Sequence, residues 1–240
     1  MLNLGVLTLF PQLITPYWDH GIITRALADR LAVHVFDIRD YTPHSHGQVD
    51  DRPFGGGPGM VLMPDVMTLA VQAAKERIPN ARVIALSPVG RPIKQAFFQE
   101  IVEHNQPTIF VCGRYEGFDQ RFIDRHTDDS WSMGDFILSG GELGALVCID
   151  AIARLLPGVL NTPQSAISES FSAGLLDYPH YTRPRVFEGV EVPEVLLSGH
   201  HAHIEAWRHE QAEQLTQRWR PDLMKKSPPL KNQTDKNSKT

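Results

Sequence analysis

TIFVCGRYEGFD, residues 108–119, passes in one step from an unbroken apolar run to a loop with two glycines. A short run of β-branched and aromatic residues closed by a turn signal is how a buried strand ends in sequence. The same punctuation recurs upstream, where VIAL (83–86) leads into SPVGR (87–91). Outward from these two strands, residues 93–104 carry helical spacing and 118–125 predict a short helix. Residues 136–138 read as a further short strand, and 143–156 as a strongly apolar helix stopped by Pro157 and Gly158. Toward the N-terminus, residues 2–10 predict a strand, 17–31 a helix, and 32–38 (AVHVFDI) an alternating strand. A long polar loop over 39–60 follows, then a helix over 64–78 opened by Pro64. Strands alternating with helices predict an α/β fold, a parallel sheet flanked by helices on both faces.

The 240 residues hold 42% hydrophobic and 21% charged side chains, near globular averages, which excludes wholesale disorder. Residues 159–177 are small and polar. They predict a linker between a first domain, 1–158, and a small, mainly helical C-terminal domain, 178–224, in which 205–219 form an amphipathic helix. Residues 225–240 lack aromatics and any periodic apolar face, and predict a disordered tail. No apolar run reaches the ~18 residues that cross a bilayer. The first ten residues carry no basic segment, so neither a membrane span nor a signal peptide is expected. Cys112 and Cys148 sit in apolar stretches and read as free buried thiols, which fits the cytoplasm. Net charge is −5, with the positive excess confined to residues 201–240. That distribution neither announces nor excludes a nucleic-acid partner.

No GxxxxGK[ST] phosphate loop is present, and no GxGxxG follows the first strand. FGGGPG at 54–59 would let backbone N–H groups approach a phosphate or a base, or is simply a tight surface loop. Three glycine-bearing loops, 86–91, 112–119 and 132–143, each lie at a predicted strand end. In an open parallel sheet ligands sit beyond the carboxyl ends of the strands, so the three could converge on one ligand; ordinary strand-to-helix turns are the plainer reading. Gly140-Gly141 runs directly into a helix N-terminus, which would favour an anion. His200, His201 and His203 lack the spacing of a four-ligand zinc site, and no metal site is read from them.

GRYEGFD (113–119), SMGDFILSGGEL (132–143), DAIARLLPGVL (150–160), ESF (169–171), GLLDYPHYTRP (174–184) and VPEVLLSGHHAHI (192–204) occur in this order. Together they resemble the bacterial tRNA (guanine-N1-)-methyltransferase family of the knotted SPOUT class, from Leu4 through about Leu223. The resemblance implies a deep trefoil knot in the first domain, a homodimer, and S-adenosylmethionine as cofactor. It implies methylation of N1 of the guanine immediately 3′ of the anticodon, guanosine-37, with magnesium assisting the transfer. Carried over by motif, cofactor contacts fall on Leu86, Ser87, Pro88, Gly113, Tyr115, Glu116, Ser132, Met133, Gly134, Asp135, Phe136, Ile137, Leu138, Gly140 and Gly141. Contacts to tRNA fall on Gly55, Gly56, Gly57, Gly59, Arg114, Asp177, His180, Tyr181 and Arg183. Glu169 stands where the family has its general base, usually Asp, and Arg154 where it has the arginine serving guanine O6. The extra methylene at Glu169 keeps alive an alternative, a non-catalytic RNA-binding member of the same fold.

Overall fold

The computed structural model describes residues 1–160, 169–171 and 174–224. The disordered tail expected over 225–240 lies outside the described residues, as do 161–168 and 172–173 of the expected linker. The chain forms two compact units, Met1–Pro163 and Gln164–Thr240.

In the first unit β1 (Leu2–Thr8), β2 (Leu31–Asp37), β5 (Arg82–Pro92), β6 (Thr108–Cys112) and β7 (Asp129–Ser132) build one sheet in the order β2-β1-β6-β5-β7. Every pairing in it is parallel. A parallel strand is buried on both faces, so alternate residues feed two separate cores. On β1, Leu2, Leu4 and Val6 enter one core and Leu7 the other; on β6, Phe110 and Cys112 divide from Ile109 and Val111 in the same way. The first core is completed by α1 (Gly21–Asp29), α3 (Gln95–Glu103) and α5 (Glu142–Leu155), the second by α2 (Pro64–Arg77) and α4 (Gln120–His126). The two-residue strands β3 (Asp50–Asp51) and β4 (Val61–Leu62) pair antiparallel at the base of the 54–59 loop. No helix among the described residues is long and apolar enough to cross a membrane.

Two local expectations are corrected. The last strand of the sheet is Asp129–Ser132, not 136–138. Trp131 buries its ring against Phe97, Phe98 and Phe110 at 5.3, 6.0 and 6.1 Å, and its Nε1–H donates to Asp129 at 2.9 Å. Phe136 and Ile137 are exposed instead. The helix expected over 17–31 is broken: Thr15–Asp19 is a 3-10 turn, and α1 begins at Gly21, whose φ of +73° lies in the region that favours glycine.

The second unit carries a two-stranded ribbon, β8 (Val186–Phe187) and β9 (Val190–Glu191), then the long helix α6 (His201–Trp219) and the short α7 (Pro221–Met224). Phe171, at φ +75°, closes a turn through its N–H to the Leu175 carbonyl at 2.7 Å. Leu176 N–H donates to Thr216 Oγ1 on α6 at 2.8 Å, which ties the turn to the helix.

Strands β5 and β7 press together so closely that a Cβ at Gly90 would stand 2.5 Å from the Ser130 carbonyl carbon. Backbone cannot yield as a side chain can. Gly90→Ala is expected to lower unfolding stability by about 1–3 kcal/mol, measured by urea denaturation with an unchanged m-value.

Candidate active site

Three loops at the carboxyl ends of β5, β6 and β7 meet around one cleft of about 750 Å³. The first is a bulge within β5: its register against β7 jumps between Leu86 and Arg91, so that residues 87–90 have no register partner in β7 and Val89 is 92% exposed. Its base is closed electrostatically. Asp129 accepts from Arg82 Nη2 at 3.1 Å, Arg91 Nε at 3.2 Å, Trp131 Nε1 at 2.9 Å and its neighbour Ser130 N–H at 2.9 Å. Burial pushes the Asp129 carboxyl upward, but hydrogen bonds from Arg91, Trp131 and Ser130 outweigh it and hold the group below its ordinary value.

The second loop follows β6. Tyr115 adopts the left-handed region at φ +59°, a conformation costly for a bulky side chain. Gly117 N–H closes back on the Arg114 carbonyl at 3.0 Å, and Glu116 N–H donates to Met60 O at 2.9 Å. Asp119 then caps α4 by accepting the Arg121 N–H at 2.9 Å. The third loop turns at Gly134, φ +142°, where Phe136 N–H meets the Gly134 carbonyl at 2.9 Å. It returns to the second loop at Gly141, whose N–H donates to the Gly113 carbonyl at 2.9 Å. A Cβ at Gly141 would lie 2.7 Å from the Cys112 Cα, so only glycine permits that passage. Two free, buried thiols lie beneath. Burial, reinforced by the charge of Glu142, raises Cys112 well above its ordinary value, and burial pushes Cys148 up to about 12.

The structure brings Leu86, Ser87, Pro88, Gly113, Tyr115, Glu116, Ser132, Met133, Phe136, Ile137, Leu138, Gly140 and Gly141 to the cleft wall. Gly134 and Asp135 do not line it; Gly134 makes the turn and Asp135 is exposed. Sequence reasoning missed Gly144 and Trp131, which also line the cleft. Gly144 was findable: one helical turn into α5, its missing side chain leaves room for Met133, whose Sδ would stand 3.1 Å from a Cβ there. Trp131 sits in a polar segment that gave no strand signal.

Among the residues expected to meet tRNA, Gly55, Gly56, Gly57 and Gly59 all have positive φ in the loop headed by Phe54, itself 97% exposed. Gly59 packs against the cleft-lining Glu116; a Cβ there would collide with that carboxylate. Arg114 lines the cleft with its guanidinium held by Glu142 and by the Ser139 carbonyl. In the second unit Asp177 accepts from His180 Nε2 at 3.0 Å, and the His180 ring lies 4.8 Å from that of Tyr178. Tyr181 stands 6.3 Å from Trp207, and Arg183 is exposed. Arg154 lies half-buried on α5 in the first unit and Glu169 half-buried in the second. Among the described residues no three His, Cys, Asp or Glu side chains gather to hold a metal ion.

Comparison with known proteins follows the same span. The family model described as tRNA (Guanine-1)-methyltransferase TrmD matches residues 2–226. A Bordetella parapertussis protein named tRNA (guanine-N(1)-)-methyltransferase is 50% identical over 235 residues, covering 94% of this chain and 91% of its own. Proteins of the same name from Salmonella paratyphi C and Buchnera aphidicola are 49% and 45% identical over 223 residues. They cover 92% of this chain and 87% and 94% of their own length.

The Asp129 pairs imply a pH dependence. A depressed folded-state pKa adds stability above the unfolded value of 3.8, and that stability is lost as pH falls below it. Asp129→Asn should therefore be less stable than the parent at neutral pH, with the gap narrowing as pH drops from about 5 toward 2, read from melting temperatures across that range.

Proposed function

The chain belongs to the tRNA (guanine-1)-methyltransferase family, and from that premise we propose that it methylates N1 of guanosine-37 in tRNA with S-adenosylmethionine bound in the three-loop cleft. Membership of a catalytic family displaces the alternative of a non-catalytic RNA binder. The observation that carries the cofactor reading is the convergence of the three loops on one cleft. Its volume and mixed lining suit a nucleoside with an amino-acid arm. Pro88, Leu138 and Ile137 supply apolar walls, and glycines 113, 140 and 141 bring backbone polar groups within reach of a base edge. Bound there, S-adenosylmethionine supplies an electrophilic methyl group.

The remaining chemistry falls to side chains. Guanine N1 carries a proton and is a poor nucleophile until it is removed. Glu169 is the group we assign to accept that proton as the methyl arrives. Negative charge then grows on O6, and the Arg154 guanidinium is assigned to meet it. A Glu reaches about one C–C bond farther than an Asp, so its backbone must stand correspondingly farther from N1. The second unit, with Asp177, His180, Tyr181 and Arg183, supplies rings and donors suited to an unstacked base and its phosphates. Magnesium, which the family resemblance also implies, has no cluster of three His, Cys, Asp or Glu to hold it among the described residues.

The same reading includes a trefoil knot and a homodimer. The Gly141 N–H bond to the Gly113 carbonyl sets the third loop against the second, where the knot reading expects the two to meet. Leu143 and Val147 on α5, with Leu13 and Tyr17 beside the chain's first turn, expose apolar surface on the first unit that a second copy would cover.

Incubation of unmodified tRNA with the protein and S-adenosylmethionine should place one methyl group at N1 of guanosine-37, read by nuclease mapping and mass spectrometry. Methylation elsewhere, or none, contradicts the assignment. Glu169→Gln is expected to lower kcat by about 10²–10⁴-fold while calorimetric affinity for S-adenosylmethionine stays near the parental value. Turnover at the parental rate would transfer the role of base to another group.

A further inference from the structure

Glu142 is 1% exposed, the one buried charged residue among those described. Removing an ionised carboxylate from water is strongly unfavourable unless opposite charge and donors surround it. Here they come from two distant parts of the first unit and from the start of its own helix, with Oε2 facing the Arg114 charge but accepting no hydrogen bond. Thr8, fully buried at the end of β1, donates its Oγ1–H to Glu142 Oε1 at 2.7 Å, and its oxygen accepts the Phe10 N–H at 2.9 Å. Arg114 donates Nε–H to Oε1 at 3.2 Å and sets Nη2 2.9 Å from Oε2. Glu142 is also the first residue of α5, where the helix dipole favours negative charge.

Arg114 does not stop at that pair. Its Nη1 donates to the Ser139 carbonyl at 3.1 Å, and its guanidinium lies 4.4 Å from the centre of the Phe10 ring. One guanidinium therefore joins the second cleft loop, which carries it, to the third loop at Ser139 and to the carboxylate at the start of α5. Gly140 packs directly beside them; a Cβ there would displace the Arg114 and Glu142 side-chain ends from this arrangement. Apolar side chains of similar volume would fill such a site with no desolvation cost. What they would not supply is direction: a charged fork and a carboxylate join in few geometries.

We propose that Glu142 is a positioning residue for methyl transfer, holding the second and third loops through Arg114 in the one arrangement that forms the cleft. This rests on the reading of the cleft as the S-adenosylmethionine site. Glu142 touches no reacting atom. Its larger effect falls on cofactor binding, because Tyr115, Glu116 and Gly140 beside the link line the cleft, and a smaller one falls on tRNA through Arg114 itself.

The test uses the full-length protein with E142Q, R114Q and the double variant. Cofactor affinity is read by calorimetry, the two KM values separately by steady-state kinetics, and folding by near-ultraviolet circular dichroism. E142Q is expected to raise the cofactor Kd and KM together by about tenfold and the tRNA KM by less. The double variant is expected to be no worse than the poorer single one, since both remove the same link. A merely structural role would instead lower the active fraction with both KM values unmoved. Parental cofactor affinity in E142Q, or losses that multiply in the double variant, overturns the proposal. Should E142Q fail to fold, T8V and T8S carry the test. A higher cofactor KM in T8V that T8S restores supports it, and equal cofactor KM in both overturns it. A parental protein that binds no S-adenosylmethionine overturns the cofactor reading and this proposal with it. Parental binding with an indifferent Glu142 overturns this proposal alone.

Discussion

Two backbone segments touch at Gly113 and Gly141 with no room for a Cβ between them. Most of what the first unit does depends on that contact. It sets α5 against the end of β6, brings the third loop alongside the second, and leaves between them and the 87–90 bulge the space that becomes the cleft. A parallel sheet alone would not produce this. Its strand ends supply loops, but loops are the most mobile parts of a fold and ordinarily diverge. Convergence here is imposed by backbone hydrogen bonding at Gly141, by the Arg114 guanidinium, and by the Asp129 cluster that pinches the first loop shut at its base.

These restraints share a physical character. Each is polar and directional, set beside an apolar sheet whose packing is indifferent to where a loop points. Methyl transfer needs the donor carbon and the accepting nitrogen held within a few tenths of an ångström of line, and misplacement of about 1 Å costs on the order of a hundredfold. Hydrophobic burial gives the sheet its stability; charged forks, strained turns and missing side chains give the cleft its shape. The left-handed Tyr115 belongs to the same set, a conformation retained only where the surroundings determine it.

The sheet was largely legible in the sequence, because a strand buried on both faces is a short apolar run between turn signals. TIFVC at 108–112 was read to the residue. The failures also have reasons. β7 went unseen because its partners for burial are supplied from elsewhere: Asp129 satisfies the Trp131 indole and three phenylalanines cover its ring, while the strand itself reads as polar. Phe136 and Ile137 read as a strand because exposed apolar residues in a cleft loop carry the composition of a buried one. The cleft residues came from resemblance, not from periodicity. Glu142 was passed over because an acidic residue in the first turn of a helix is usually a solvated partner of the dipole. Only the tertiary arrangement buries it against Thr8 and Arg114.

S-adenosylmethionine bound as proposed would touch three separate loops at once. Hydrogen–deuterium exchange of the protein alone and saturated with the cofactor tests it most directly. The expected result is slowed exchange at backbone amides in all three of 86–90, 113–117 and 132–141, rising together with cofactor occupancy. Protection confined to one loop, or lying outside all three, would contradict the account.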